Sequence, residues 1–105
     1  MSNLKLGSGV APIPAMLKAG VNVAIGTDGV SSNNSHDMFE EMKFAATIHT
    51  GVSHDPLALL PMDVLRMATV SGAKALGRKA GVIAPGYVAD LILVDFDAPN
   101  LTPCH

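Results

Sequence analysis

The run Val21-Asn22-Val23-Ala24-Ile25 constrains this chain more than any other segment. Its β-branched residues restrict the side chains to an extended backbone, and Gly20 and Gly26 bound it at both ends. Such a short run predicts a strand whose two faces are both covered, as in a parallel sheet flanked by helices. It ends in Gly26-Thr27-Asp28-Gly29, so an acid follows the strand directly. In α/β folds the residues just past strand ends face the functional side, which makes Asp28 the leading candidate for chemistry. A carboxylate there can bind a divalent cation or take a proton from metal-bound water. Asp before Gly is also ordinary turn chemistry, and on spacing alone that reading stands beside the functional one.

The flanking segments supply helices. Pro12 and Pro14 introduce a short helix through about Lys18, with Gly20 as its stop. Asp37, with Glu40 three residues later, resembles a capping box opening a helix to about Thr50 that Gly51 closes. On a wheel that helix keeps Glu40, Lys43 and Thr47 as a polar strip. Met38, Phe39, Met42, Ala45, Ala46 and His49 form a broad apolar face, and Phe44 and Ile48 add a third apolar side. A helix covered on so many sides belongs inside a larger assembly than one small domain. Pro61 starts a helix through about Thr69, and Val70–Leu76 continues as a second one that Gly77 stops. Ser2–Gly9 and Val30–Ser35 are polar and aperiodic and predict loops. Gly81 and Pro85-Gly86 mark turns ahead of Leu91-Ile92-Leu93-Val94, a second predicted strand.

Composition narrows the partners. In 105 residues, 49% are hydrophobic and 15% charged, which excludes a disordered chain. A net charge of −2 and 4% aromatic residues provide neither a basic field nor stacking platforms, so nucleic acid is not an expected partner. No uninterrupted apolar window reaches the roughly 18 residues of a membrane span, and no membrane partner is expected. The single cysteine, Cys104, excludes an internal disulfide and predicts a reducing, cytoplasmic setting.

Other candidate sites are weaker. His36, His49, His54 and His105 show neither His-x-His nor His-Glu-x-x-His spacing. His49 falls on the apolar helical face and reads as a packed core histidine, while His36 and His54 each precede Asp as loop or cap residues. No serine sits in a Gly-x-Ser-x-Gly elbow, and Cys104 has no basic neighbour to activate it. Gly7-Ser8-Gly9 lacks the further residues of a phosphate-cradling loop.

Four segments together resemble one family. Ser2-Asn3-Leu4-Lys5-Leu6-Gly7-Ser8-Gly9 is followed by Ala24-Ile25-Gly26-Thr27-Asp28-Gly29 with Ser32-Asn33-Asn34 and Asp37-Met38. Ala68-Thr69-Val70-Ser71-Gly72-Ala73-Lys74-Ala75-Leu76-Gly77 comes next, and Gly81-Val82-Ile83-Ala84-Pro85-Gly86-Tyr87-Val88-Ala89-Asp90-Leu91 closes the series. In order and spacing they resemble the C-terminal third of metal-dependent amidohydrolases, nearest to the 5-methylthioadenosine/S-adenosylhomocysteine deaminases and related chlorohydrolases.

The resemblance implies an α/β architecture: the C-terminal part of a (β/α)8 barrel over residues 1–78 and part of a small β-sandwich over 79–105. Residues 21–25 would be the eighth barrel strand and 91–94 a sandwich strand. Asp28 would be a metal ligand that also accepts a proton from the attacking water, and Asn3 would line the substrate side. The divalent metal would be zinc, in some relatives iron. The family's other ligands, a His-x-His pair and further histidines, and its proton-shuttling glutamate have no counterpart here.

The chain is therefore expected to be a fragment of a hydrolase that deaminates an adenine nucleoside such as S-adenosylhomocysteine or 5-methylthioadenosine. On its own it is expected to be inactive and to bind metal weakly, because one aspartate cannot supply the three or more ligands of a catalytic zinc. The alternatives are a triazine chlorohydrolase, another nucleobase deaminase, or a non-catalytic fragment that self-associates. Unpaired strand edges predict a homo-oligomer or strand-exchanged dimer.

Overall fold

The structure is a computed structural model that describes residues 1–99 and 101. Among the described residues it contains six helices: α1 (Ser2–Lys5), α2 (Ile13–Lys18), α3 (Val30–Asn33), α4 (Met38–Ser53), α5 (Pro61–Ala68) and α6 (Val70–Ala75). Cys104 and His105 lie outside the described residues.

Local chemistry accounts for most helix ends. Pro12 and Pro14 flank the first turn of α2, where a missing N–H costs nothing. α2 and α6 stop in the same way. Gly20 and Gly77 take φ of 79° and 64°, which lets the next two N–H groups fold back onto the last carbonyls. Those bonds are Gly20 N to Leu17 O at 2.9 Å and Val21 N to Met16 O at 3.0 Å, and Gly77 N to Lys74 O at 3.1 Å and Arg78 N to Ala73 O at 2.9 Å. The Asp37 carboxylate caps α4 by accepting from Phe39 N at 2.8 Å and Glu40 N at 3.2 Å. Ala84-Pro85-Gly86-Tyr87 closes a β-turn with Tyr87 N donating to Ala84 O at 3.2 Å.

Several expectations need correction. Ser2–Gly9 is not loop throughout, because residues 2–5 form one helical turn, and Val30–Ser35 likewise contains α3. Single turns are marginal in isolation, and these two are fixed by each other: Lys5 Nζ donates to Ser31 O at 2.8 Å and also to Asn34 Oδ1. Gly51 does not end α4. The helix runs to Ser53 and ends where His54 takes φ 55°, so Gly51 is an interior glycine at a cost of about 1 kcal/mol. Among the described residues neither 21–25 nor 91–94 belongs to a strand. A strand requires a ladder partner. Ile25 N donates to Met67 O at 3.1 Å, a bond to a helix and not to a second strand. Residues 21–25 are also covered on one face only: Val23 is buried and Ile25 half-buried, whereas Asn22 and Ala24, which alternate with them, are exposed.

The core is small. Val23, Leu59, Val64 and Met67 are buried together, with Ile13, Met16, Leu17, Ile25, Met42, Ala45 and Ala46 packed around them. Thus residues 21–25 lie against α2, α4 and α5, and this packing sets where the loop after Ile25 emerges. Elsewhere apolar surface lacks cover. Ile83 is 90% exposed, Ile92 74% and Leu93 102%, all in the segment after α6. The accessible surface of 7542 Å² exceeds the roughly 5,500 Å² that surface–mass scaling gives for 10.8 kDa. Many faces built for burial are therefore open to water, as the wheel of α4 anticipated.

Candidate functional site

Asp28 stands at the end of residues 21–25 with φ 61°, a left-handed conformation that costs a non-glycine residue about 1–2 kcal/mol. Its side chain is exposed. The Gly29 N–H donates to Asp28 Oδ1 at 2.7 Å. That backbone bond is the main reason the carboxyl sits below its ordinary 3.8, with the Ser32 and Ser2 hydroxyls also favouring the charged form. Ser32 Oγ itself donates to Gly29 O at 3.0 Å, so the backbone donor carries the effect. Asp28 is thus an ionised, solvent-facing carboxylate, suited to accept a proton or contribute one bond to a cation.

Beneath it lies a pair that the sequence reading did not single out. Glu41 is 4% exposed and Asn33 2%. Asn33 Nδ2 donates to Glu41 Oε1 at 2.7 Å and to Thr27 O at 2.5 Å. The Met1 nitrogen donates to Glu41 Oε2 at 2.8 Å. Asn33 Oδ1 is buried without a partner among the described residues. Glu41 carried a usable signal, since it stands four and eight residues before Ala45 and His49 and so shares their apolar face. Asn33 carried none, because its partners are distant or lie in the backbone.

A cavity of about 270 Å³ adjoins this pair, bounded by Asn3 and Ser2 of α1, by residues 24–26, and by Glu41, Phe44 and His49 of α4. Asn3 is exposed and borders this space. Asp28 does not line it, although Gly26, two residues earlier, does. The structure therefore brings Asn3 and Asp28 to neighbouring places through Ser2 without putting both in one pocket. His49 is buried, as the packed reading of it expects. Among the described residues no three of His, Cys, Asp and Glu come together as a metal site. The residues present do not by themselves hold a metal, and Asp28 could be only one ligand of several.

Residues 1–104 match the amidohydrolase family. The chain belongs to that family. Among curated amidohydrolase relatives, the 5'-deoxyadenosine deaminase of Methanosarcina mazei is 55% identical over 104 residues, which is 99% of this chain and 24% of the relative. The 5-methylthioadenosine/S-adenosylhomocysteine deaminase of Acetivibrio thermocellus is 57% identical over 106 aligned positions, covering 99% of this chain and 25% of the relative. An adenosine deaminase from Xanthomonas campestris, solved with bound zinc, superposes with a TM-score of 0.91 at 48% identity, over 99% of this chain and 24% of that one. This amidohydrolase chain thus spans about a quarter of the length of the relatives it matches. Among the described residues no helix is long and apolar enough to cross a membrane.

Burial pushes the His49 imidazole below its ordinary 6.5. The folded state then favours the neutral ring, and the unfolded chain binds more protons as the pH falls below about 6.5. His49 thus contributes stability above that value and loses it toward acid. Melting between about pH 7.5 and about pH 5.5 should show a falling midpoint in the native chain and a flatter profile in His49→Leu. Equal slopes in both proteins would show that His49 burial does not govern this window.

Proposed function

We propose that these residues form the Asp28-bearing part of a zinc-dependent hydrolase that deaminates an adenine nucleoside, such as 5'-deoxyadenosine, 5-methylthioadenosine or S-adenosylhomocysteine. The observation that carries this reading is Asp28 itself: an ionised carboxylate in a strained turn, at the end of residues 21–25, in an amidohydrolase chain. The names of the relatives supply the substrate class, and the zinc bound to the Xanthomonas campestris protein supplies the metal. Residues 1–78 would belong to the barrel, with 21–25 as its eighth strand, and 79–105 to the sandwich. Residues 21–25 and 91–94 then find their ladder partners in the remaining three-quarters of a full-length enzyme.

In this reading Asp28 contributes one carboxylate to the metal and accepts a proton during replacement of the amine by water. The Gly29 N–H keeps it ionised for both roles. Asn3 borders the substrate with its exposed carboxamide. The zinc, when bound, supplies Lewis-acid activation of water, and its remaining ligands lie beyond this chain. A chimera in which this chain replaces the matched quarter of the Methanosarcina mazei deaminase tests the reading. It should release ammonia from 5'-deoxyadenosine, and Asp28→Asn should lower kcat about 10²–10⁴-fold. Full activity in Asp28→Asn would refute the assignment.

A second, non-catalytic reading describes the chain by itself. The exposed run Leu91–Val94 with Ile83 and Phe96 offers apolar surface and free backbone groups to another copy, favouring a dimer or higher oligomer. Sedimentation of the purified chain over a wide concentration range should show association, and a monomer throughout would count against it.

A further inference from the structure

We infer that Glu41 and Asn33 form a positioning clamp that holds the Asp28 turn against α1. The inference rests on the role proposed for Asp28. One buried carboxylate engages two segments far apart in sequence: Asn33 of α3 through Oε1, and, as an ion pair in this chain, the terminal ammonium of Met1 ahead of α1 through Oε2. The same Asn33 amide nitrogen extends the chain to the Thr27 carbonyl, the peptide group that leads into Asp28.

Burying a carboxylate is costly unless both oxygens are engaged, and here both are. A site that needed only packing would fill this place with an apolar side chain, as the rest of this face of α4 does at Ala45. The carboxylate is instead matched to two donors that only the correct placement of α1 and α3 can present.

The consequence falls on Asp28. Its φ of 61° is unfavourable and persists only if the flanking residues are fixed. Thr27 is fixed through Asn33 on one side, and on the other Ser32 Oγ donates to Gly29 O at 3.0 Å. Ser2, buried in the first turn of α1, is held in the same frame by the neighbouring Met1–Glu41 contact. Glu41 and Asn33 touch neither a reacting atom nor Asp28 and act through the backbone they fix. Replacing Glu41 by Gln places an N–H donor where the Met1 nitrogen already donates. Replacing Asn33 by Ala frees the Thr27 carbonyl and leaves Glu41 Oε1 without its donor.

Two measurements test the clamp, one of them independent of activity. In the 105-residue chain, the buried Asn33 side-chain amide should exchange slowly with solvent, and Glu41→Gln should speed it more than tenfold. In the deaminase chimera, Glu41→Gln and Asn33→Ala should each lower kcat about 10–100-fold with KM changed less than threefold. The double variant should be little worse than the poorer single one, as expected of two residues acting as a unit. Glu41→Asp should not rescue, and the exposed neighbour Glu40→Gln should match the unmodified chimera. If Glu41→Gln does not fold, Asn33→Ala and the exchange of the unmodified chain decide the matter. Fast exchange of the Asn33 amide in the unmodified chain, or wild-type kcat in both variants, would overturn the clamp. An inactive chimera or a fully active Asp28→Asn would instead overturn the role of Asp28 and leave the exchange result to judge the clamp alone.

Discussion

The hydrogen bond between Asn33 and Glu41 is the contact on which the geometry of this chain turns. Neither α1 nor α3 is long enough to be stable by its own backbone bonds, and each is a single turn. What gives them fixed places is the Lys5 bridge between them together with a buried carboxylate on a sixteen-residue helix that is independently capped and packed. From Glu41 the order spreads outward, through Asn33 to Thr27 and the Asp28 turn, and through the Met1 nitrogen to Ser2 and Asn3. The apolar core plays the complementary part. Val23 and Ile25, seated against Met67 and the inner face of α4, set the direction in which residues 26–29 leave the core.

Features fixed by near neighbours were legible in the amino-acid sequence. The proline-led starts of α2 and α5, the Asp37 cap, the glycine stops after α2 and α6, and the turn at Pro85-Gly86 all depend on residues within one or two turns of each other. Features fixed at a distance were not. α1 and α3 are single turns with one aliphatic residue each, Leu4 and Val30, and look like loop until Lys5 and Glu41 tie them together. Gly51 carries the sign of a helix stop, but α4 continues to Ser53, whose hydroxyl donates to His49 O at 2.6 Å, and ends at the left-handed His54. Acids are seldom buried, and Glu41 departs from that rule because its register on α4 places it among the apolar positions.

Residues 21–25 and 91–94 illustrate a further limit with a physical origin. Their β-branched composition favours an extended backbone. A strand, however, is a relation between two segments, and among the described residues the second member of each pair is missing. The same absence accounts for the large accessible surface and for the run of exposed aliphatic side chains after Gly81. This amidohydrolase chain spans about a quarter of the length of its relatives, and in the proposed reading its open apolar surfaces meet the other three-quarters of a full-length enzyme.

The most direct measurement is a crystal structure of the zinc-loaded chimera that carries this chain in the Methanosarcina mazei deaminase. The account predicts an Asp28 carboxylate oxygen about 2.0–2.2 Å from the zinc, with Asn33 and Glu41 still hydrogen-bonded beneath it. A zinc fully ligated by other residues, with Asp28 turned to solvent, would contradict it.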